Sequence, residues 1–438
     1  MTYRYFFPNI TKFFFGCLLI GCSSNKVEKL PTETPARNEQ SSADNSQPPT
    51  TQPPTTQLID ENHLSYLPKL FYPVLSSVLG NISNNGNYIV YQASSNLIDL
   101  DQNVYPDIYL KNINDNTTIL ISKSWDGLSS NQTSTYPQVS NEGSVVFSSL
   151  ASNIVSDDRN NDWDIFYYDA RSKKISLLSQ DSKGIHGDST SSGAILSGDG
   201  RYALFTSLSS NWSKQNSSNG SILYRKNINN GDLEIASISP DESILTNCSE
   251  YAMSDQGHLV VYRCPHSNNP RLSSLYARWM EKKKTFLLME AASLNRLWIS
   301  GSGDDVFITG YNDMNIRQVL KISASHSQIQ TVSLQQDGSE FTNDCFLKAV
   351  SSDGKIILFQ SQDQEDLQLY QRNLATGVTK KLSTEKKLSH RGLHNPNMRA
   401  SLSSDGLVLT FSTDGALVLP PLGKDPGMES NTNIYLRQ

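Results

Sequence analysis

Nine consecutive residues, Asp99-Leu100-Asp101-Gln102-Asn103-Val104-Tyr105-Pro106-Asp107, place oxygen-bearing side chains at positions 1, 3, 5 and 9 of one short segment. A hard cation such as calcium needs about six to eight oxygen ligands, and a loop with acids at alternate positions can wrap one. Asp99, Asp101, Asn103 and Asp107 are therefore candidate calcium ligands, with the backbone carbonyl of Tyr105 at position 7. Val104 stands at position 6, where such loops usually turn on glycine. The same segment recurs 57 residues later as Ser156, Asp158, Asn160 and Asp164, with one carboxylate fewer. The competing reading is that these Asp and Asn residues close Asx-turns, since their side chains bond the backbone two residues on.

Other chemistry-bearing residues are sparse. Cys248 and Cys264 flank the turn Ser254-Asp255-Gln256-Gly257 almost symmetrically, so a hairpin there would bring them onto neighbouring strands within disulfide reach. Cys345 holds the same place before Ser351 as Cys248 before Ser254 but has no counterpart, and reads as a buried free thiol. His390 and His394 are too isolated for a zinc site, lacking a third ligand nearby in sequence. Ser300-Gly301-Ser302-Gly303 is not a nucleophile elbow, because no α/β domain accompanies it. No other catalytic signature is present, so no catalytic residue is assigned.

The elements that must carry these residues are repeated. Ser-x-x-Gly occurs at Ser83, Ser140, Ser197, Ser254, Ser300, Ser351 and Ser403, and the glycines are spaced 57, 57, 57, 46, 51 and 52 residues apart. That period suits one four-stranded propeller blade. The second copy predicts strands over 137–140, 144–148, 164–169 and 174–179, the glycine supplying positive φ in the tight turn and the serine hydroxyl bonding an N–H two or three residues on. The expected fold is all-β, a propeller of seven four-stranded blades, with six as the alternative. The last repeat has three strands, and the unpaired segment Leu64–Tyr72 is expected to complete it and close the ring.

Outside the repeats, Arg4 and Lys12 precede the apolar run 13–20, which is too short to be a permanent membrane span. The run ends in Leu19-Ile20-Gly21-Cys22, which resembles the lipobox of bacterial lipoproteins. The resemblance implies a signal peptide over 1–21, a diacylglycerol and palmitate on Cys22 and, with Ser23 following, an outer-membrane address facing the periplasm or the cell surface. Residues 22–60, with the direct repeat Gln-Pro-Pro-Thr-Thr at 47–51 and 52–56, read as a disordered tether to a propeller over 61–438.

Ser-x-Asp-Gly between two strands, clearest at Ser351–Gly354 and Ser403–Gly406, resembles the WD40-like PD40 repeat of TolB-like β-propellers over roughly 64–438, although the proline that names the motif is absent. Members of that family usually have six blades. The Asp99 segment is similar to the calcium loops of integrin-type propellers. A formal charge of −6, reaching −8 once the leader is removed, argues against a nucleic-acid partner. The chain thus reads as a lipid-anchored, non-catalytic scaffold for another envelope protein. The alternative is a glycan-binding or carbohydrate-active propeller, to be favoured if carboxylates, Arg and Trp converge at the channel mouth.

Overall fold

The computed structural model describes residues 80–93, 98–158, 160–213, 220–325, 328–363, 366–382, 399–406, 409–413 and 433–437. All fall within one compact unit, Ile59–Gln438. The described residues contain no helix. Cys22, the tether, Leu64–Tyr72, His390 and His394 lie outside them.

Among the described residues seven antiparallel meanders follow one another, six of four strands and a last one of three. The first is built from Gly80–Ile82, Tyr88–Ala93, Asp107–Asn112 and Thr118–Leu120. The second runs through Ser134–Val139, Val145–Ser149, Asp164–Asp169 and Lys174–Leu177, against the expected 137–140, 144–148, 164–169 and 174–179. The seventh consists of Arg399–Leu402, Leu409–Thr413 and Asn433–Arg437.

Burial explains the sequence pattern along each meander. Second strands such as Val145–Ser149 are buried at every position, because a blade is covered on both faces, and strands covered on both faces read as continuous apolar runs rather than alternating ones. Five of the six described fourth strands, such as Thr118–Leu120 and Ile329–Thr331, are three or four residues long and partly exposed, which keeps those outer edges too short to template further pairing. The fourth sheet differs, its outer strand Lys284–Ala291 having eight residues. Apolar layers lie between successive sheets: Val90, Ile108, Val145 and Phe166 join the first to the second, and Ala349, Leu358, Ala400 and Leu402 join the sixth to the seventh. The seventh sheet meets the first through Ser404 N to Asn84 O (2.6 Å) and Ile82 N to Ser401 Oγ (3.3 Å).

All seven turn glycines have φ between 70° and 85°. Gly257 is fixed twice over, since a Cβ there would also lie 2.4 Å from the Tyr202 ring of the preceding sheet. In the second copy the serine does what the sequence predicts, Ser140 Oγ accepting from Glu142 N two residues on (3.3 Å) as well as from Ser144 N (3.2 Å). In other copies it reaches further, its hydroxyl accepting from the N–H five residues on, as in Tyr88 N to Ser83 Oγ (3.0 Å) and Ile356 N to Ser351 Oγ (2.9 Å). There the local two-residue bond belongs instead to the Asp or Asn at the third position, which takes the N–H of Asn87 (3.1 Å), Arg201 (3.0 Å) or Lys355 (3.0 Å). Where an Asp or Asn stands third it closes the turn and leaves the serine to lock the hairpin mouth; in the second copy, with Glu142 third, Ser140 serves both.

Candidate functional site: the channel and the face around its mouth

The first strand of each sheet contributes to a central cavity of about 500 Å³. In the second to sixth sheets this strand is bulged, with register shifts at Thr135/Gln138, Ser192/Ile195, Ser249/Tyr251, Asn295/Trp298 and Leu347/Ala349. A bulge turns a side chain away from its pleated direction. Tyr136 (φ 52°), Gly193 (φ 71°), Glu250 (φ 50°) and Arg296 (φ 60°) each stand seven residues before their turn glycine, at one level of the channel wall. Left-handed backbone costs a residue with a Cβ roughly 1–2 kcal/mol, and Gly193 shows that glycine is accepted here. Tyr136 and Glu250 are exposed to the cavity, Arg296 is half-buried, and Trp298 lines the wall beside them. Tyr251 OH donates to Gly193 O (2.6 Å), filling the space a side chain would need. In the sixth sheet the bulged residue is Lys348, whose ammonium is pushed down to about 7 by burial and by the nearby Arg296.

The other end of the cavity is lined by the second residue of four Ser-x-x-Gly turns, Asn84, Gly198, Asp255 and Ser352. Asp255 of the fourth sheet reaches across the axis, accepting from Asn84 Nδ2 of the first (2.8 Å) and from Ser352 Oγ of the sixth (2.6 Å). The two turns flanking it carry glycine at this position. A Cβ on Gly198 would lie 2.7 Å from Asp255 Oδ1, and one on Gly301 2.2 Å from Oδ2. Around this end the turns also bond one another: Asn141 N to Gly198 O (3.3 Å), Asp199 N to Asp255 O (3.0 Å), Asp255 N to Gly301 O (2.9 Å) and Gly301 N to Ser352 O (2.6 Å).

The Asp99 segment lies between the second and third strands of the first sheet, on the face where the bulged strands begin. Three of its four candidate ligands are drawn together. Asp107 Oδ1 accepts from Ser122 Oγ (2.5 Å) and Ser130 Oγ (3.0 Å), and Oδ2 from Asn103 Nδ2 (2.9 Å). Asp101 accepts from Tyr109 OH and from Asn103 N (3.3 Å). Asp99 is exposed. A cation entering this site would have to displace hydroxyl donors that the carboxylates already hold, and among the described residues no group of three or more His, Cys, Asp or Glu is gathered to hold a metal. In the second loop Ser156 is exposed, Asn160 Oδ1 takes Asp162 N (2.9 Å) and Asp164 Oδ1 takes Ser179 Oγ (2.5 Å). Burial outweighs these bonds and raises both Asp107 and Asp164 to about 6. Asp164 Oδ2 is buried without a hydrogen-bond partner, which favours the protonated form. In the fifth sheet Gln318 takes the same place, accepting from Ser333 Oγ (2.5 Å).

Above this network the Asp99 segment meets the 124–130 hairpin through Gln102 N to Ser129 Oγ (3.3 Å) and Asn103 Nδ2 to Ser130 O (2.9 Å). The two loops present Leu100, Val104, Tyr105, Trp125 and Leu128 to solvent, with Val104 84% and Trp125 69% exposed. Elsewhere, Cys248 and Cys264 form a disulfide (S–S 2.05 Å) between the first two strands of the fourth sheet. Cys345 is buried, and burial pushes its thiol up to about 12.

Neither the bulged residues nor the strut emerges from a search for catalytic motifs. Both have a sequence signal: large residues seven positions before the turn glycine, and glycine at the second turn position only on either side of the acidic copy.

This geometry defines the protein as a β-propeller. Among solved structures it is similar to the propeller domain of the trilobed protease from Pyrococcus furiosus, at 10% identity over 82% of this chain and 95% of that one, with a TM-score of 0.52. It is also similar to oligogalacturonate lyase from Vibrio parahaemolyticus, at 12% identity over 81% and 87%, with a TM-score of 0.51. TolB from Acinetobacter baumannii matches at 10% identity over 68% of this chain and 63% of that one, with a TM-score of 0.40. At these identities the likeness concerns the fold alone. No family profile matches the sequence, and no curated protein is similar to it.

Proposed function

We propose that this protein is a non-catalytic interaction propeller, tethered to the cell envelope through Cys22, whose first-sheet loops dock another envelope protein. The observation that carries this reading is the ridge of Leu100, Val104, Tyr105, Trp125 and Leu128 on two loops bonded to each other. Large exposed apolar side chains gathered on two bonded loops are the kind of surface that marks an interaction site, and Trp and Tyr are among the side chains that most often dominate binding energy. The buried hydrogen bonds beneath the ridge hold it in place before a partner arrives, so little ordering cost falls on binding. Calcium on Asp99, Asp101, Asn103 and Asp107 would brace the same loop.

The test is crosslinking in intact cells from a photoreactive residue at position 128, comparing the wild-type ridge with Val104→Asp and Trp125→Ala. The expected result is a defined crosslinked protein that disappears in both variants while their melting temperatures stay unchanged. Capture of the same protein at equal yield from the variants would refute docking on the ridge.

A further inference from the structure

A second binding site, independent of the ridge, is carried by the bulged strands. Three residues with large side chains are held in left-handed backbone at equivalent positions of the second, fourth and fifth sheets, where the third sheet has glycine. The side chains of Tyr136 and Glu250 make no hydrogen bond or ring contact among the described residues that would repay this strain. Strained conformations that local sequence could relieve with glycine persist where the side chain has a task.

We propose that the mouth of the channel binds a neutral oligosaccharide, held by Tyr136, Glu250 and Arg296. The chemistry of the wall selects this class. Glu250 and Arg296 occupy equivalent positions of adjacent sheets with opposite charge, so an anionic ligand meets the carboxylate and a cationic one meets the guanidinium. A ligand rich in hydroxyls satisfies both, since a carboxylate accepts from two neighbouring hydroxyls and a guanidinium fork donates to two. The exposed Tyr136 ring offers a flat apolar surface to the C–H face of a sugar, and Trp298 a second one in the wall. The cavity, at about 500 Å³, has room for a few sugar rings.

The experiment is calorimetric titration of the full chain in detergent with chitotriose, cellotriose and maltotriose, and with trigalacturonate and triglycine for comparison. It is repeated on Tyr136→Gly and Glu250→Gly. The expected result is binding of at least one neutral trisaccharide, weakened on the order of tenfold or more in each variant. Because glycine relieves the left-handed strain, the melting temperature of each variant should rise or hold. That combination separates a ligand role from a structural one, which would lower it. Binding of only trigalacturonate or only triglycine, no binding at millimolar ligand, unchanged affinity in both variants, or a fall in their melting temperature would each overturn the proposal. None of these outcomes depends on the ridge, so failure here and failure of the docking reading are distinguishable.

Discussion

Replacing Gly301 with alanine probes the strut across the channel. The added Cβ would sit 2.2 Å from Asp255 Oδ2 and 2.3 Å from Ser352 Oγ. Gly301 is not among the positive-φ glycines, so alanine meets no backbone penalty of its own and acts through this clash. It must evict the carboxylate, which loses its bonds from Asn84 Nδ2 (2.8 Å) and Ser352 Oγ (2.6 Å). Hydrogen bonds to charged groups contribute about 1.5–3 kcal/mol each. Asp255 is half-buried, so the lower figure applies and the pair amounts to about 3 kcal/mol. Asp255→Ala forfeits the same two bonds while removing the carboxylate the new methyl strikes and leaving Ser352 Oγ, the other atom in its way, without the acceptor that holds it there. A double-mutant cycle in urea, followed by tryptophan fluorescence, should therefore find losses that overlap: about 3 kcal/mol for each single variant and about the same for the double. Losses that simply add would show that Gly301 and Asp255 act separately, and would refute the strut.

Removing the disulfide by Cys248→Ser with Cys264→Ser should cost about 3 kcal/mol, the closure entropy of a short loop, read as a lower urea midpoint; an unchanged midpoint would count against a bond in the mature protein. The raised Asp164 makes a pH prediction. Its folded pKa of about 6 exceeds the reference 3.8, so its contribution is fully present below about pH 4 and is lost as pH rises through 6, a change of up to about 3 kcal/mol. In chelator, Asp164→Asn should lack that decline and be the more stable protein at pH 7, since the amide can still accept from Ser179 as Gln318 does from Ser333; parallel pH profiles would refute it. If Asp99, Asp101, Asn103 and Asp107 hold calcium, the melting temperature should climb with the logarithm of free calcium and Asp101→Ala should abolish the climb. A melting temperature indifferent to calcium and chelator would leave only the turn-forming role. Cys22→Ser should abolish lipid labelling, and persistent labelling would exclude that residue as the anchor.

Periodic features were legible in the sequence because each blade repeats the same local physics. Ser-x-x-Gly marked every inner hairpin, as positive φ selects glycine regardless of what surrounds it. The third strand of the second sheet was read at its observed limits, Asp164–Asp169, because two faces of burial impose an unbroken apolar run. The two-residue bond of the serine hydroxyl holds at Ser140, while the five-residue reach seen at Ser83 is not legible locally, since it depends on how the second strand folds back over the turn. The bulges left only a positional trace, seven residues before the turn glycine, because Tyr136, Glu250 and Arg296 share no chemistry, only a backbone conformation. The strut escaped notice because Asp255, Asn84 and Ser352 come from sheets that are not adjacent in the chain, and only ring closure brings them together.

With Asp255 spanning the axis, the cavity is a cup rather than a tube. The bonds from Asn84 and Ser352 to Asp255 lie across the way through, so a chain entering past the bulged strands meets them before it could pass. On the oligosaccharide reading proposed above, a polymer would therefore offer this cavity its end or a short side branch rather than its middle. The number of sites on such a ligand scales with the number of chain ends, not with total mass, so shortening the chains at constant weight would raise occupancy.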